Sequence, residues 1–228
     1  MKQLFIAIIM FWNLLWGIEA QAQSWANKER YAQANIELMA GQPDSMRVVL
    51  MGNSITEFWE ETHPGFFVSK NLVCRGISGQ VSSQMLARFR QDVINLKPRI
   101  VVINCGTNDI AENNGPYDED ITIDNIRSMI ELALAHDIEV VLSSVLPCDR
   151  FCWNPAVKDV TGKISSLNRR ITELTSQFHV HYIDYYSSMA TDSRALRTDF
   201  TDDGVHPNAS GYHVMESLLS ETLNGLLN

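Results

Sequence analysis

"VVLMGNSITEFW", residues 48–59, passes from a strand-like apolar run into Gly52, Asn53 and a single serine, Ser54. Glycine and asparagine stop a strand, so the serine is either a turn residue or a nucleophile presented at the edge of a sheet. The segments around it bear on which.

Four more apolar runs of strand length follow: "NLVCR" (71–75), "RIVVIN" (99–104), "EVVLSSVL" (139–146) and "VHYIDYY" (180–186). Between them lie "QVSSQMLARFRQDVINL" (80–96), "DITIDNIRSMIELALAHD" (120–137) and "VTGKISSLNRRITELTSQF" (160–178), whose apolar residues recur at helical spacing. Buried strands joined by crossover helices predict an α/β fold with a parallel sheet. The link from the first strand to the second is richer in Gly, Pro and aromatic residues. A helical leader (24–42) precedes the first strand, and "NASGYHVMESLLSETLNGLL" (208–227) predicts a closing helix. No repeat or linker divides the chain.

Residues 1–22 read as a secretory signal peptide, with Lys2, an apolar run from Leu4 to Ile18, and Ala20-Gln21-Ala22 as a cleavage pattern. A membrane anchor is the alternative, and no cysteine lies near the predicted cut after Ala22. The expectation is a secreted or periplasmic protein with one domain over residues 23–228. The net charge is −9, and the cationic residues form no blocks. Nucleic acid and anionic membranes are therefore not expected partners. Of the four cysteines, Cys148 and Cys152 are close enough in "CDRFC" to pair, while Cys74 and Cys105 read as small buried residues.

In open parallel sheets, ligands bind beyond the carboxyl ends of the strands. There the sequence places Gly52-Asn53-Ser54, "GISGQ" (76–80), "GTND" (106–109) and, past the fifth strand, "DDGVHPN" (202–208). A serine hydroxyl needs a base, usually a histidine oriented by a carboxylate, and Asp203-Gly204-Val205-His206 supplies both from one turn. Pro207 and Asn208 would direct and cap the closing helix. Acyl transfer also needs donors for an oxyanion, available from the Ser54 and Gly79 amides and the Asn108 side chain. Each block alone is an ordinary turn or cap.

Together, "MGNSIT", "RGISGQ", "CGTND" and "DGVHPN" resemble the four blocks of the SGNH (GDSL-like) hydrolase superfamily, in order and spacing, over nearly all of residues 23–228. The likeness is to the branch of platelet-activating-factor acetylhydrolase-like and carbohydrate acetylesterase-like members. It implies a flavodoxin-like three-layer α/β/α sandwich with five parallel strands. It also implies Ser54 as nucleophile, His206 as base, Asp203 as its partner, and Ser54, Gly79 and Asn108 as the oxyanion hole. The family's first block usually reads Gly-Asp-Ser, whereas here Asn53 precedes the serine and keeps hydrogen bonds without the charge. Asp109 is expected to tie loops together.

Competing chemistries lack their signatures. No G-x-S-x-G elbow, H-E-x-x-H pair, G-x-G-x-x-G or Walker loop is present, and His179 and His181 straddle a strand. No metal and no organic cofactor are expected. Trp59 and Trp153 are candidates to stack on a sugar, with core packing as the alternative for both, and Phe58 is assigned to the core. The function expected is a secreted serine esterase that removes short acyl groups from carbohydrate. A lysophospholipase or short-chain lipid esterase is the alternative enzyme, and a carbohydrate-binding protein without turnover is the alternative of another class.

Overall fold

The structure is a computed structural model that describes residues 25–41 and 44–227, so the expected signal peptide lies outside the described residues. Five parallel strands form the sheet: β1 (Val48–Gly52), β2 (Leu72–Gly76), β3 (Ile100–Ile103), β4 (Glu139–Ser143) and β5 (His181–Ile183), in the order β2-β1-β3-β4-β5. Flanking them are α1 (Ala32–Ala40), α2 (Ser54–Thr62), α3 (Pro64–Lys70), α4 (Ser82–Asp92), α5 (Thr107–Ile110), α6 (Glu119–Leu134), α7 (Val160–Phe178), α8 (Tyr185–Met189) and α9 (Ala209–Leu227). Among the described residues, no helix is long and apolar enough to cross a membrane.

The three layers follow from strand alternation, since successive strand residues point to opposite faces. Val49, Met51, Val101, Ile103, Val140 and Leu142 pack against α4, α6 and α7. Val48, Leu50, Ile100, Val102, Val141 and Ile183 pack against α2, α3, α8 and α9. Both faces are covered, which is why these strands read as unbroken apolar runs.

The order 2-1-3-4-5 reverses direction between β1 and β3, where a crevice opens at the carboxyl edge. In register there, Gly52 stands beside Gly76 and Met51 beside Ile103. The loops after β1, β2 and β3 therefore leave the sheet side by side.

Two strands stop earlier than the apolar runs suggest, for local hydrogen-bonding reasons. Past Ser143 the Asn168 side chain of α7 takes both backbone groups of Val145, at 2.8 Å and 3.0 Å, which ends the ladder of β4. After Ile183, Asp184 accepts from Ser187 N at 2.9 Å and caps α8, so β5 is three residues long.

Candidate active site

The first turn of α2 begins at Ser54 itself. Asn53 is the N-cap and its Oδ1 accepts from Ile55 N at 3.0 Å, so the neutral residue performs the capping that the turn requires. As the first residue of a helix, Ser54 has an amide with no partner inside that helix. Its side chain stands at the sheet edge, 7% exposed.

Across the crevice, the segment before α9 delivers a histidine. Gly204, at φ +85°, allows the tight turn, and Thr201 Oγ1 closes it by accepting from Gly204 N at 3.0 Å and donating to His206 O at 2.7 Å. Asp203 Oδ1 accepts from the amides of Val205 and His206, both at 2.8 Å. Its other oxygen, Oδ2, accepts from His206 Nδ1 at 2.6 Å. Burial alone would raise the Asp203 carboxyl, but the bonds from the His206 ring and the two amides outweigh it and hold the group below the usual carboxylate range. An ionised carboxylate only accepts, so Nδ1 carries the proton and Nε2 presents its lone pair. Ser54 Oγ lies 2.9 Å from that Nε2. The structure thus brings Ser54, His206 and Asp203 into one hydrogen-bonded line. Asn208 caps α9 as expected, its Oδ1 accepting from Gly211 N at 3.1 Å.

The other two residues expected as oxyanion donors lie on the other two loops. Gly79 has φ +77°, a left-handed position that suits glycine. Asn108 donates from Nδ2 to Gln80 O at 3.0 Å, and its Oδ1 accepts from Asn113 Nδ2 at 3.0 Å. These two bonds fix which way the amide faces and leave its second N–H free of both. Asn113 was not singled out in the sequence, where "AENNGP" is an ordinary polar loop.

Buried polar groups brace these loops. Arg88, fully buried on α4, donates to Gln80 Oε1 (2.6 Å), Gly52 O (3.0 Å) and Arg75 O (2.9 Å), and pairs with Asp92 (2.9 Å). It therefore ties the ends of β1 and β2 to the glycine loop. Glu57 of α2 accepts from Ser78 N (2.7 Å) and Oγ (2.6 Å) and pairs with Arg30 (2.9 Å). Burial would raise its carboxyl, and the Ser78 and Arg30 bonds bring it below the usual range. Asp109 accepts from Ser82 N at 3.0 Å and Oγ at 2.5 Å, tying the third loop to the start of α4 as expected, and burial raises its carboxyl.

The two tryptophans separate. Trp153 is 47% exposed, and its ring centroid is 6.2 Å from that of His206 at 29°. It leans on Phe151 and donates from Nε1 to Asn113 Oδ1 at 2.9 Å. Trp59 cannot line the site, contrary to expectation: it is 2% exposed and stacked between Phe66 and Tyr212, each at 5.8 Å. The cause is helical phase. With about 100° per residue, position 59 lies about 140° around α2 from Ser54, whereas Phe58 lies about 40° away. Phe58 accordingly faces the His206 ring, 5.2 Å between centroids. The four cysteines are free thiols, Cys148 buried and Cys152 exposed, so no bridge joins that pair.

The family model for GDSL-like lipases/acylhydrolases matches residues 50–214, a stretch that contains Ser54, Gly79, Asn108, Asp203 and His206. The chain belongs to that family. Among solved structures, this GDSL-like family member is similar to a GDSL-like lipase from Bacteroides thetaiotaomicron, with 48% identity over 88% of this chain and 98% of that one and a TM-score of 0.86. It is also similar to a Bacteroides fragilis protein assigned as an acylhydrolase, with 52% identity over 90% and 99% and a TM-score of 0.88. An acetylxylan esterase from Xylanibacter ruminicola is 25% identical over 81% of this chain, which spans 44% of that protein's length. The SGNH resemblance and the three-layer fold are borne out, and the family is one of carboxylic ester hydrolases.

Proposed function

We propose that the protein is an exported serine esterase that removes acetyl or similarly short acyl groups from carbohydrate. The observation that carries this reading is the unbroken line Ser54 Oγ–His206 Nε2–His206 Nδ1–Asp203 Oδ2, at 2.9 Å and 2.6 Å.

In this reading Ser54 Oγ attacks the ester carbonyl while its proton passes to His206 Nε2. Asp203 stabilises the imidazolium and keeps its tautomer without taking the proton itself. The carbonyl oxygen gains charge and is met by the Ser54 and Gly79 amides and the free N–H of Asn108. Collapse of the tetrahedral species breaks the ester C–O bond, and the leaving alkoxide takes the proton from Nε2. Water then attacks the acyl-serine, gives its proton to the same nitrogen, and the acid departs as Ser54 is reprotonated.

Trp153 supports the carbohydrate part, because a half-exposed planar ring beside the base offers a sugar an apolar face. The acetylxylan esterase likeness supports the same substrate class. Export rests on the apolar leader ending in Ala20-Gln21-Ala22.

The test is a series of p-nitrophenyl esters of rising chain length, run beside acetylated xylo-oligosaccharides. Each CH₂ buried in an acyl pocket contributes about 0.8 kcal/mol, so a long pocket improves steadily with chain length. The expected kcat/KM peaks at acetate or propionate. A maximum at eight or more acyl carbons would replace this reading with a lipid esterase. No turnover of any ester would leave a carbohydrate-binding protein.

A further inference from the structure

Far from Ser54, a second group of titratable side chains converges that the ester chemistry does not use. His63 follows the last turn of α2 and leads into α3, while His213 and Glu216 lie three residues apart on one face of α9. His63 Nδ1 is 2.6 Å from Glu216 Oε1, and His213 Nδ1 is 2.9 Å from Glu216 Oε2. The two imidazole rings are 4.4 Å apart. Ligand atoms from all three residues lie within 4.8 Å of one another.

We infer that His63, His213 and Glu216 form a binding site for a divalent ion of the zinc class, held by two imidazole nitrogens and one carboxylate. The donor set selects the ion: imidazole with a single carboxylate suits Zn²⁺, whereas Mg²⁺ and Ca²⁺ require mostly oxygen. With metal–ligand bonds of about 2.1 Å, the edge of a tetrahedron is about 3.4 Å. The nitrogen–oxygen contacts present, 2.6 Å and 2.9 Å, would open by about 0.5–0.8 Å to admit the ion. Each ring then carries its proton on Nε2 in place of Nδ1. Glu216 is already oriented for this, since Trp59 Nε1 donates to its Oε1 at 3.3 Å, the kind of outer bond that holds a ligating carboxylate in place. Solvent at the exposed His213 supplies the fourth position.

The location gives such an ion a role. His63 is nine residues beyond Ser54, about 14 Å along the helical path, and His213 is seven beyond His206. An ion here would fasten together the two segments that carry Ser54 and His206, at the end away from both. Sequence patterns do not reveal the site, because His63 is distant from the His-x-x-Glu pair it joins.

The experiment is calorimetric titration and thermal melting of the chain, prepared without a polyhistidine tag and stripped with chelator, using Zn²⁺ alone as the probe. The expected result is one ion per chain and a melting temperature raised by about 5–10 °C at a hundredfold excess over the dissociation constant. His63→Ala and His213→Ala should each weaken binding by about a hundredfold or more. His181→Ala, which removes a lone histidine–carboxylate pair to Glu139 (3.1 Å), should leave binding intact. His213 is exposed, so its variant tests the site without disturbing the core. Absence of saturable binding, binding that survives both His63→Ala and His213→Ala, or an equal response to Mg²⁺ would overturn the inference. None of these readouts depends on ester hydrolysis.

Discussion

Two histidine–carboxylate groups stand at opposite ends of the same pair of segments, and they differ in what the carboxylate leaves open. At the Ser54 end, Asp203 engages one ring through one oxygen and uses the other on backbone amides, so the far nitrogen of His206 faces a hydroxyl. At the other end, Glu216 spends both oxygens on two rings, and Trp59 adds a third donor. A carboxylate–imidazole contact of 2.6 Å occurs in both places. The contact itself therefore says little about chemistry, which depends on what the second ring nitrogen meets.

The largest expected effect breaks the first group while sparing its shape. Asp203→Asn should lower kcat for p-nitrophenyl acetate by about 10⁴-fold through the wrong imidazole tautomer, with KM little changed. The corresponding change at the other end, Glu216→Gln, should show itself in the melting temperature. A silent Asp203→Asn beside a damaging Asp202→Asn would move the orienting carboxylate by one residue.

Next is the donor side. Asn108→Ala should cost roughly 10²–10³-fold in kcat. Asn113→Ala should cost roughly ten- to a hundredfold, because Asn113 aims the Asn108 amide as well as holding Trp153, and a misplacement of about 1 Å costs on that order. As a positioning residue, Asn113 should affect kcat far more than KM for a small ester. An equal fall in stability with unchanged kcat would make it a loop brace.

Trp153→Ala should act more gently, raising KM for an acetylated oligosaccharide several-fold more than for p-nitrophenyl acetate, which has no sugar to stack. Equal effects on both substrates would assign the ring to packing.

The smallest effect is one of pH. The Glu57 carboxyl is depressed by Ser78 and Arg30, so its contribution to stability is present above the unfolded value of about 4.3 and is lost as pH falls through the lower folded value. Glu57→Gln should therefore lower the free energy of unfolding measured in urea at pH 7 by about 1 kcal/mol, and the difference from the parent should shrink in acid. A difference independent of pH would mean that the charge is not what braces the glycine loop.

The contrast between the two groups also marks how far the sequence can be read. Ser54, Asp203 and His206 were legible because each sits in a short block whose turn residues announce it, and because strand ends in a parallel sheet share one edge. Trp59 is harder to read, because its role depends on where α2 begins: a helix that starts at Ser54 turns Trp59 into the core, while Phe58 packs against that core as expected and also faces the His206 ring. Asn113, Arg88 and His63 left no local signal at all. Apart from Asn108, five residues before Asn113, the partners lie farther along the chain, at Trp153, at Gly52 and Arg75, and at Glu216, so only the closed fold brings them together.

The central claim, that Ser54 is activated by His206, is tested most directly by labelling the protein with a serine-directed fluorophosphonate and mapping the adduct by mass spectrometry. The expected result is a single adduct on Ser54, absent in Ser54→Ala and slowed at least a hundredfold in His206→Ala. An adduct on Ser78, or labelling of Ser54 at an unchanged rate in His206→Ala, would contradict it.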